Sequence, residues 1–186
     1  IDPLERESGL GERIVRSGKF SSVADYLNFL NHVKSYTFCA DRFAGKNVLD
    51  LGCGSGYGTE LLAAKAGAVV GLDLNQIVID ELNSRNAFDN LNYNYFEGRE
   101  LPFEGNSFDA VASLQVIEHV RDVELYLREI ARVLKKHGVA VLSTPNRRIR
   151  LLPFQKPWNP FHLREYSFED LHRLLKNYFA EVTGFG

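Results

Sequence analysis

The sequence predicts a doubly wound, mostly parallel α/β sheet with helices on both faces. Three observations carry that expectation. Short apolar runs alternate with helical patterns along most of the 186 residues. The first run enters a glycine-rich turn, and the second ends in an acid roughly twenty residues further on. Strands and helices alternating at this spacing require right-handed crossovers, which set the strands parallel and place helices on both sides of them.

In chain order, helices are expected around Val23 to Phe43, ahead of a first strand at Asn47–Leu51. A helix over about Gly58–Ala66 follows the glycine turn and stops before Gly67; it leads into a strand at Ala68–Leu74. A helix over about Gln76–Phe88 precedes a strand at Leu91–Phe96, and Gly105-Asn106 turns the chain into a strand at Phe108–Leu114. Asp122 is the expected N-cap of a helix over about Val123–Lys136, which ends near Gly138, where the fifth strand, Gly138–Thr144, begins. Ser167-Phe168-Glu169-Asp170 is a capping-box-like start for the last helix, before a sixth strand at Phe179–Gly184. Residues 1–44 are read as an N-terminal helical segment forming a partial lid, and 45–186 as the ligand-binding domain.

The most informative stretch is Val48-Leu49-Asp50-Leu51-Gly52-Cys53-Gly54-Ser55-Gly56-Tyr57-Gly58. Bare glycines let a ligand approach the backbone, and the following helix offers N–H groups to an anion. Val69-Val70-Gly71-Leu72-Asp73-Leu74 then ends a buried strand in a carboxylate placed to meet ribose hydroxyls. The dinucleotide fingerprint does not require an acid before its first glycine. Asp50-Leu51-Gly52-Cys53-Gly54-Ser55-Gly56 instead resembles the first motif of class I methyltransferases that use S-adenosylmethionine (SAM), in the broad ubiquinone-type superfamily with its small-molecule O-methyltransferases. The fold that the resemblance implies is the Rossmann-like methyltransferase sheet, which usually has a seventh strand; the sequence supplies none before Gly186.

The resemblance implies SAM as cofactor and assigns residues to it. Asp50 is expected near the α-amino group, Gly52, Gly54 and Gly56 around the methionyl portion with Tyr57 covering it, and Asp73 with Leu74 at the ribose. Glu97 and Gly98 stand where the family has its adenine-contacting segment, and Leu114 and Gln115 line the pocket beside the sulfonium. In some relatives a Glu-x-x-Glu-His pattern goes with a divalent metal. Here Gln115 supplies a neutral amide at its first position, so no metal site is expected, and Glu118-His119 reads as a polar pair starting a helix.

After the fifth strand a proline- and aromatic-rich excursion, Leu151 to Phe161, is too apolar for an ordinary linker and is expected to form a lid or acceptor wall. Asn159-Pro160-Phe161-His162-Leu163-Arg164-Glu165-Tyr166 resembles a run common in this superfamily. His162 is the first choice for a general base and His119 the second, because a histidine titrates near working pH; a loop-anchoring role for His162 stays open. Cys53 reads as a small loop residue rather than a nucleophile.

Composition narrows the classes. A net charge of -2 without a dense Lys/Arg block favours no nucleic-acid partner, and Arg147, Arg148 and Arg150 read as a solvated loop. No apolar stretch is long enough to span a bilayer, and the two cysteines suggest no disulfide framework, so a cytoplasmic protein with no membrane partner is expected. Methionine is absent even from position 1, and the ends are therefore not read as natural termini. The expected function is SAM-dependent methyl transfer to a small-molecule acceptor, at oxygen. A non-catalytic SAM-binding module and a metal-assisted RNA-end methyltransferase are the alternatives, with a nucleotide-dependent oxidoreductase remote.

Overall fold

The computed structural model describes residues 20, 22–150, 152, 155–157 and 159–185. Five strands, β1 (Asn47–Leu51), β2 (Ala68–Asp73), β3 (Leu91–Tyr95), β4 (Phe108–Leu114) and β5 (Leu134–Ser143), form one parallel sheet in the order β3-β2-β1-β4-β5. The order reverses beside β1, so the loops after β1 and β4 part there and open a cleft at the strands' carboxyl ends. The doubly wound expectation is met.

Among the described residues the helices are α1 (Val23–Arg42), α2 (Tyr57–Ala63), α3 (Gln76–Arg85), α4 (Val123–Val133), the short α5 (Arg147–Arg150) and α6 (Phe168–Leu175), with a 3-10 turn at Ile117–His119. Side-chain caps start three of them. Asn75 accepts from Val78 N–H, Asp122 from Leu125 N–H and Ser167 from Asp170 N–H, each satisfying an N–H that has no partner within its helix. α3 stops three residues earlier than the sequence pattern suggests. Asn86 turns extended there and folds its amide onto the carbonyls of Phe88 and Leu91, a local bond that competes with continuing the helix.

Period-two alternation along β1 separates two cores. Val48 faces Tyr36, Cys39, Phe43, Leu62 and Leu82 on one side of the sheet, whereas Leu49 and Leu51 face Leu127, Ile130 and Val133 on the other. Asp50 therefore shares the Val48 side, beneath α1 and α2. That placement decides its chemistry below.

Two expectations are corrected. β5 begins at Leu134 rather than Gly138, because Leu134 pairs with Phe108 before a register shift near Asp109, and His137 takes a left-handed φ of 67° within the irregularity. The segment Phe179–Gly184 is not a strand; it joins no ladder. Side-chain packing places the chain there instead: Phe179 lies with Leu171, Leu174 and Leu175 against the second core, and the Phe185 ring meets Phe38 at 5.7 Å. Of the expected lid, Leu151, Pro153, Phe154 and Trp158 lie outside the described residues, as do residues 1–19 of the N-terminal segment.

Candidate active site

A cleft of about 1290 Å³ lies across the carboxyl ends of the strands. Its floor is the loop after β1. Gly52 has φ 84°, and a Cβ there would stand 2.4 Å from Val116 Cγ2, so only glycine fits. Gly54 has φ 53° and would point a Cβ into open space, so its bareness answers the backbone conformation and keeps the cleft floor accessible. Asp73 ties this loop to the one after β2: Oδ2 accepts from Gly54 N–H at 2.9 Å and Oδ1 from Asn75 N–H at 3.0 Å.

Asp50 sits elsewhere than its expected position beside a ligand. Its carboxylate is fully buried behind the loop and does not line the cleft. Thr59 donates to Oδ2 at 2.7 Å, and the Tyr36 hydroxyl donates to both oxygens at 3.1 and 3.2 Å. Burial pushes the carboxyl up to about 7, against the Thr59 and Tyr36 bonds, which favour the charged form. Gly56, the N-cap of α2, likewise stays out of the lining.

Gly52, Gly54, Tyr57, Asp73, Leu74, Glu97, Gly98, Leu114, Gln115, His119 and His162 all line this one cleft. At its α1 wall the His32 ring bridges the sheet and the loop. Its Nε2–H donates to Leu114 O at 3.3 Å, and Nδ1 accepts from the Tyr57 hydroxyl. Burial lowers the His32 pKa, which keeps this bridge uncharged at neutral pH. Gln115 leaves β4 with φ 61°, held by Gln115 N–H donating to Ser143 O at 2.8 Å. On the opposite wall Glu129 Oε2 accepts Leu101 N–H at 2.7 Å, and Arg132 donates to the carbonyls of Leu101 and Phe103, so α4 pins the loop that carries Glu97 and Gly98. The Arg132 guanidinium holds the Glu129 carboxyl below its ordinary value.

The other end of the cleft is built from two loops. Glu118 O accepts Leu163 N–H at 2.8 Å, and Arg147 N–H donates to Tyr166 O at 2.9 Å, which docks residues 159–166 against the 3-10 turn and the start of α5. His119 Nδ1–H donates to Phe161 O at 2.9 Å, Thr144 donates to Glu118 Oε2 at 2.9 Å, and the His119 and His162 rings meet edge to face at 4.9 Å.

The description "Methyltransferase domain" matches residues 49–142, from β1 through most of β5. The chain belongs to that family. This methyltransferase domain is similar, at 39% identity over 155 residues, to a protein of Mycolicibacterium smegmatis named a probable S-adenosylmethionine-dependent methyltransferase; the match covers 83% of the chain and 59% of that protein. A ubiquinone biosynthesis O-methyltransferase of Bartonella tribocorum is 32% identical over 148 residues, covering 75% of the chain and 60% of that protein. The chain thus spans less than two thirds of the length of these relatives. Among solved structures, a chain in the complex between the Haloferax volcanii Trm112 methyltransferase activator and a methyltransferase superposes with a TM-score of 0.68 at 23% identity, covering 79% of this chain and 68% of that one. An S-adenosylmethionine dependent methyltransferase from Mesorhizobium loti gives 0.62 at 18% identity, covering 77% and 79%. At those identities the likeness is one of fold.

Thr59, which with Tyr36 holds Asp50, carries no motif signal beyond lying in the first turn of α2. Glu118 and His119 adjoin in sequence, whereas 43 positions separate His119 from His162. The fold brings one donor atom from each of the three within 4.8 Å of the others.

Proposed function

We propose that the cleft binds S-adenosylmethionine and that the protein transfers the cofactor's methyl group to an oxygen of a small-molecule acceptor. The observation that carries this reading is the junction of Asp73 with the glycine loop. Each carboxylate oxygen accepts one backbone N–H and keeps a second acceptor position, so the group can hold the loop and still receive ribose hydroxyls. Gly52, Gly54 and Tyr57 would hold the methionyl portion, and Leu74 with Glu97-Gly98 would hold the adenine. Leu114 and Gln115 would border the reacting end of the cofactor, and His162 and His119 line the same cleft at the acceptor end.

Methyl transfer asks mainly for alignment. The cofactor would supply an electrophilic methyl group for in-line attack by the acceptor oxygen, and His162 would take the acceptor's proton. Attack neutralises the sulfonium, so the apolar walls from Leu114, Phe161 and Leu163 disfavour the charged reactant more than the transition state.

Calorimetry with S-adenosylhomocysteine and with NAD tests the ligand. Micromolar binding of the first and none of the second is the expected result, and the reverse would overturn the reading. A radiolabelled-methyl screen of hydroxylated, carboxylated and amino metabolites tests the reaction. Cofactor binding with no labelled product from any acceptor would leave a non-catalytic SAM-binding module.

A second reading is favoured by the grouping of Glu118, His119 and His162. One carboxylate and two imidazoles form a donor set suited to a divalent cation, and His119 and His162 each have Nδ1 engaged by an oxygen acceptor, an arrangement frequent in metal-bound histidines. A cation there would act as a Lewis acid on the acceptor oxygen. An EDTA-sensitive rate restored by magnesium, manganese or zinc would support this form, and a rate indifferent to chelation would remove it.

A further inference from the structure

Glu165 presents a buried carboxylate that the reaction outlined above does not use. It is 5% exposed, and it does not line the cleft. A carboxylate removed from water costs several kcal/mol unless it is paired, so its partners define its purpose. Two face it: His162 Nδ1 at 2.7 Å from Oε1, and Arg150 Nη1 at 3.7 Å from the same oxygen.

Anchoring the loop does not require this carboxylate. Residues 159–166 are already fastened by backbone bonds, His162 N–H to Asn159 O at 3.1 Å, Leu163 N–H to Glu118 O at 2.8 Å and Arg147 N–H to Tyr166 O at 2.9 Å. What the Glu165 carboxylate adds is a fixed acceptor on one ring nitrogen of a histidine that lines the cleft. A carboxylate can only accept, so Nδ1 must carry the proton, and the lone pair of the neutral ring then belongs to Nε2.

We propose that Glu165 is a positioning residue whose carboxylate, braced by Arg150, accepts the Nδ1–H of His162 and fixes the tautomer and ring orientation that present the Nε2 lone pair to the cleft. The proposal rests on the placement of His162 at the acceptor end, and it holds whether Nε2 takes a proton or a cation. Without the carboxylate the ring would distribute its proton between both nitrogens, and part of the population would turn an N–H toward the acceptor.

Long-range proton–nitrogen correlation spectra of protein carrying isotope-labelled histidine read the tautomer directly, with the His162 signals assigned by their loss in His162→Asn. At mildly alkaline pH the wild-type ring is expected to show a protonated Nδ1 and a pyridine-like Nε2. In Glu165→Ala the proton is expected to shift in part to Nε2, moving both nitrogen resonances toward each other. A proton on Nε2 in the wild type overturns the proposal, and so does an unchanged pair of shifts in Glu165→Ala. The wild-type spectrum alone can refute it, so a variant that fails to fold does not shelter it. S-adenosylhomocysteine titrated into the same wild-type sample reads the cofactor assignment separately: no binding beside an intact Nδ1–H tautomer refutes the cofactor and not Glu165.

Discussion

Replacing Asp73 with alanine probes the cofactor assignment most directly. The carboxylate does two things at once: it accepts Gly54 N–H at 2.9 Å and Asn75 N–H at 3.0 Å, and in the proposed complex it accepts ribose hydroxyls. A hydrogen bond to a charged acceptor contributes about 1.5–3 kcal/mol, of which part is returned when water replaces it at a half-exposed position. The loss expected in S-adenosylhomocysteine affinity is therefore about 2 kcal/mol, a dissociation constant roughly 30-fold higher. Gly54 lines the cleft, where water can solvate its N–H, whereas Asn75 is buried and would lose its partner, so the substitution should also lower the melting temperature. Calorimetric titration of wild type, Asp73→Ala and Asp73→Asn measures the effect. The asparagine keeps one acceptor oxygen but turns an amino group toward one of the two backbone donors, so it should fall between the others. A dissociation constant within twofold of wild type in Asp73→Ala would refute the ribose assignment.

Burial gives Asp50 a folded pKa of about 7 against an ordinary 3.8, so the folded chain holds a proton that the unfolded chain has released between those values. Its contribution to stability is complete below about pH 4 and is lost as pH rises through about 7, so ligand-free melting temperature should fall from about pH 5 to about pH 8 more steeply in wild type than in Asp50→Asn; parallel profiles would remove the assignment. Gly58→Ala would set a Cβ 2.2 Å from the Tyr36 ring, and the overpacking should cost about 1–3 kcal/mol, read as a lowered urea midpoint with an unchanged slope. His162→Ala should reduce turnover on an acceptor found by the methyl screen at least tenfold while S-adenosylhomocysteine affinity stays within about twofold, and an undiminished rate would exclude His162 from the chemistry.

The elements that the sequence made legible are those whose signal is local. β1, β2 and β4 start where the apolar runs begin, because buried strands read as near-continuous Val, Leu and Ala segments, β3 shows instead the apolar–polar alternation of Leu-Asn-Tyr-Asn-Tyr, and Asp122 and Ser167 cap helices through side-chain bonds confined to one turn. Failures came where a neighbour decides. Phe179–Gly184 alternates like a strand, but a strand exists only when an edge receives its backbone bonds, and here the aromatic side chains find the second core and α1 instead. The start of β5 depends on which residue Phe108 pairs with, a fact carried by another element. In the cleft, the positions adjoining the strand tips were legible, since any side chain there faces the switch point. The Glu165–His162 pair was not: a short His-x-x-Glu spacing in a loop fixes no geometry until the loop is docked.

The two acids that flank the glycine loop look equivalent in sequence and are opposites in the fold. Asp73 caps the exposed end of β2, where a charged carboxylate can be solvated and can meet a polar ligand. Asp50 lies one residue inside the end of β1, and period two turns it under α1 and α2, where Tyr36 and Thr59 replace water. A carboxylate held there acts on the loop by joining the first turn of α2 to α1 across the strand, so it shapes the floor on which Gly52 and Gly54 lie. In the proposed complex the Asp73 carboxylate meets the ribose and Glu118 stands with His119 and His162 at the acceptor end, while a neutral His32 bridge joins Tyr57 to Leu114.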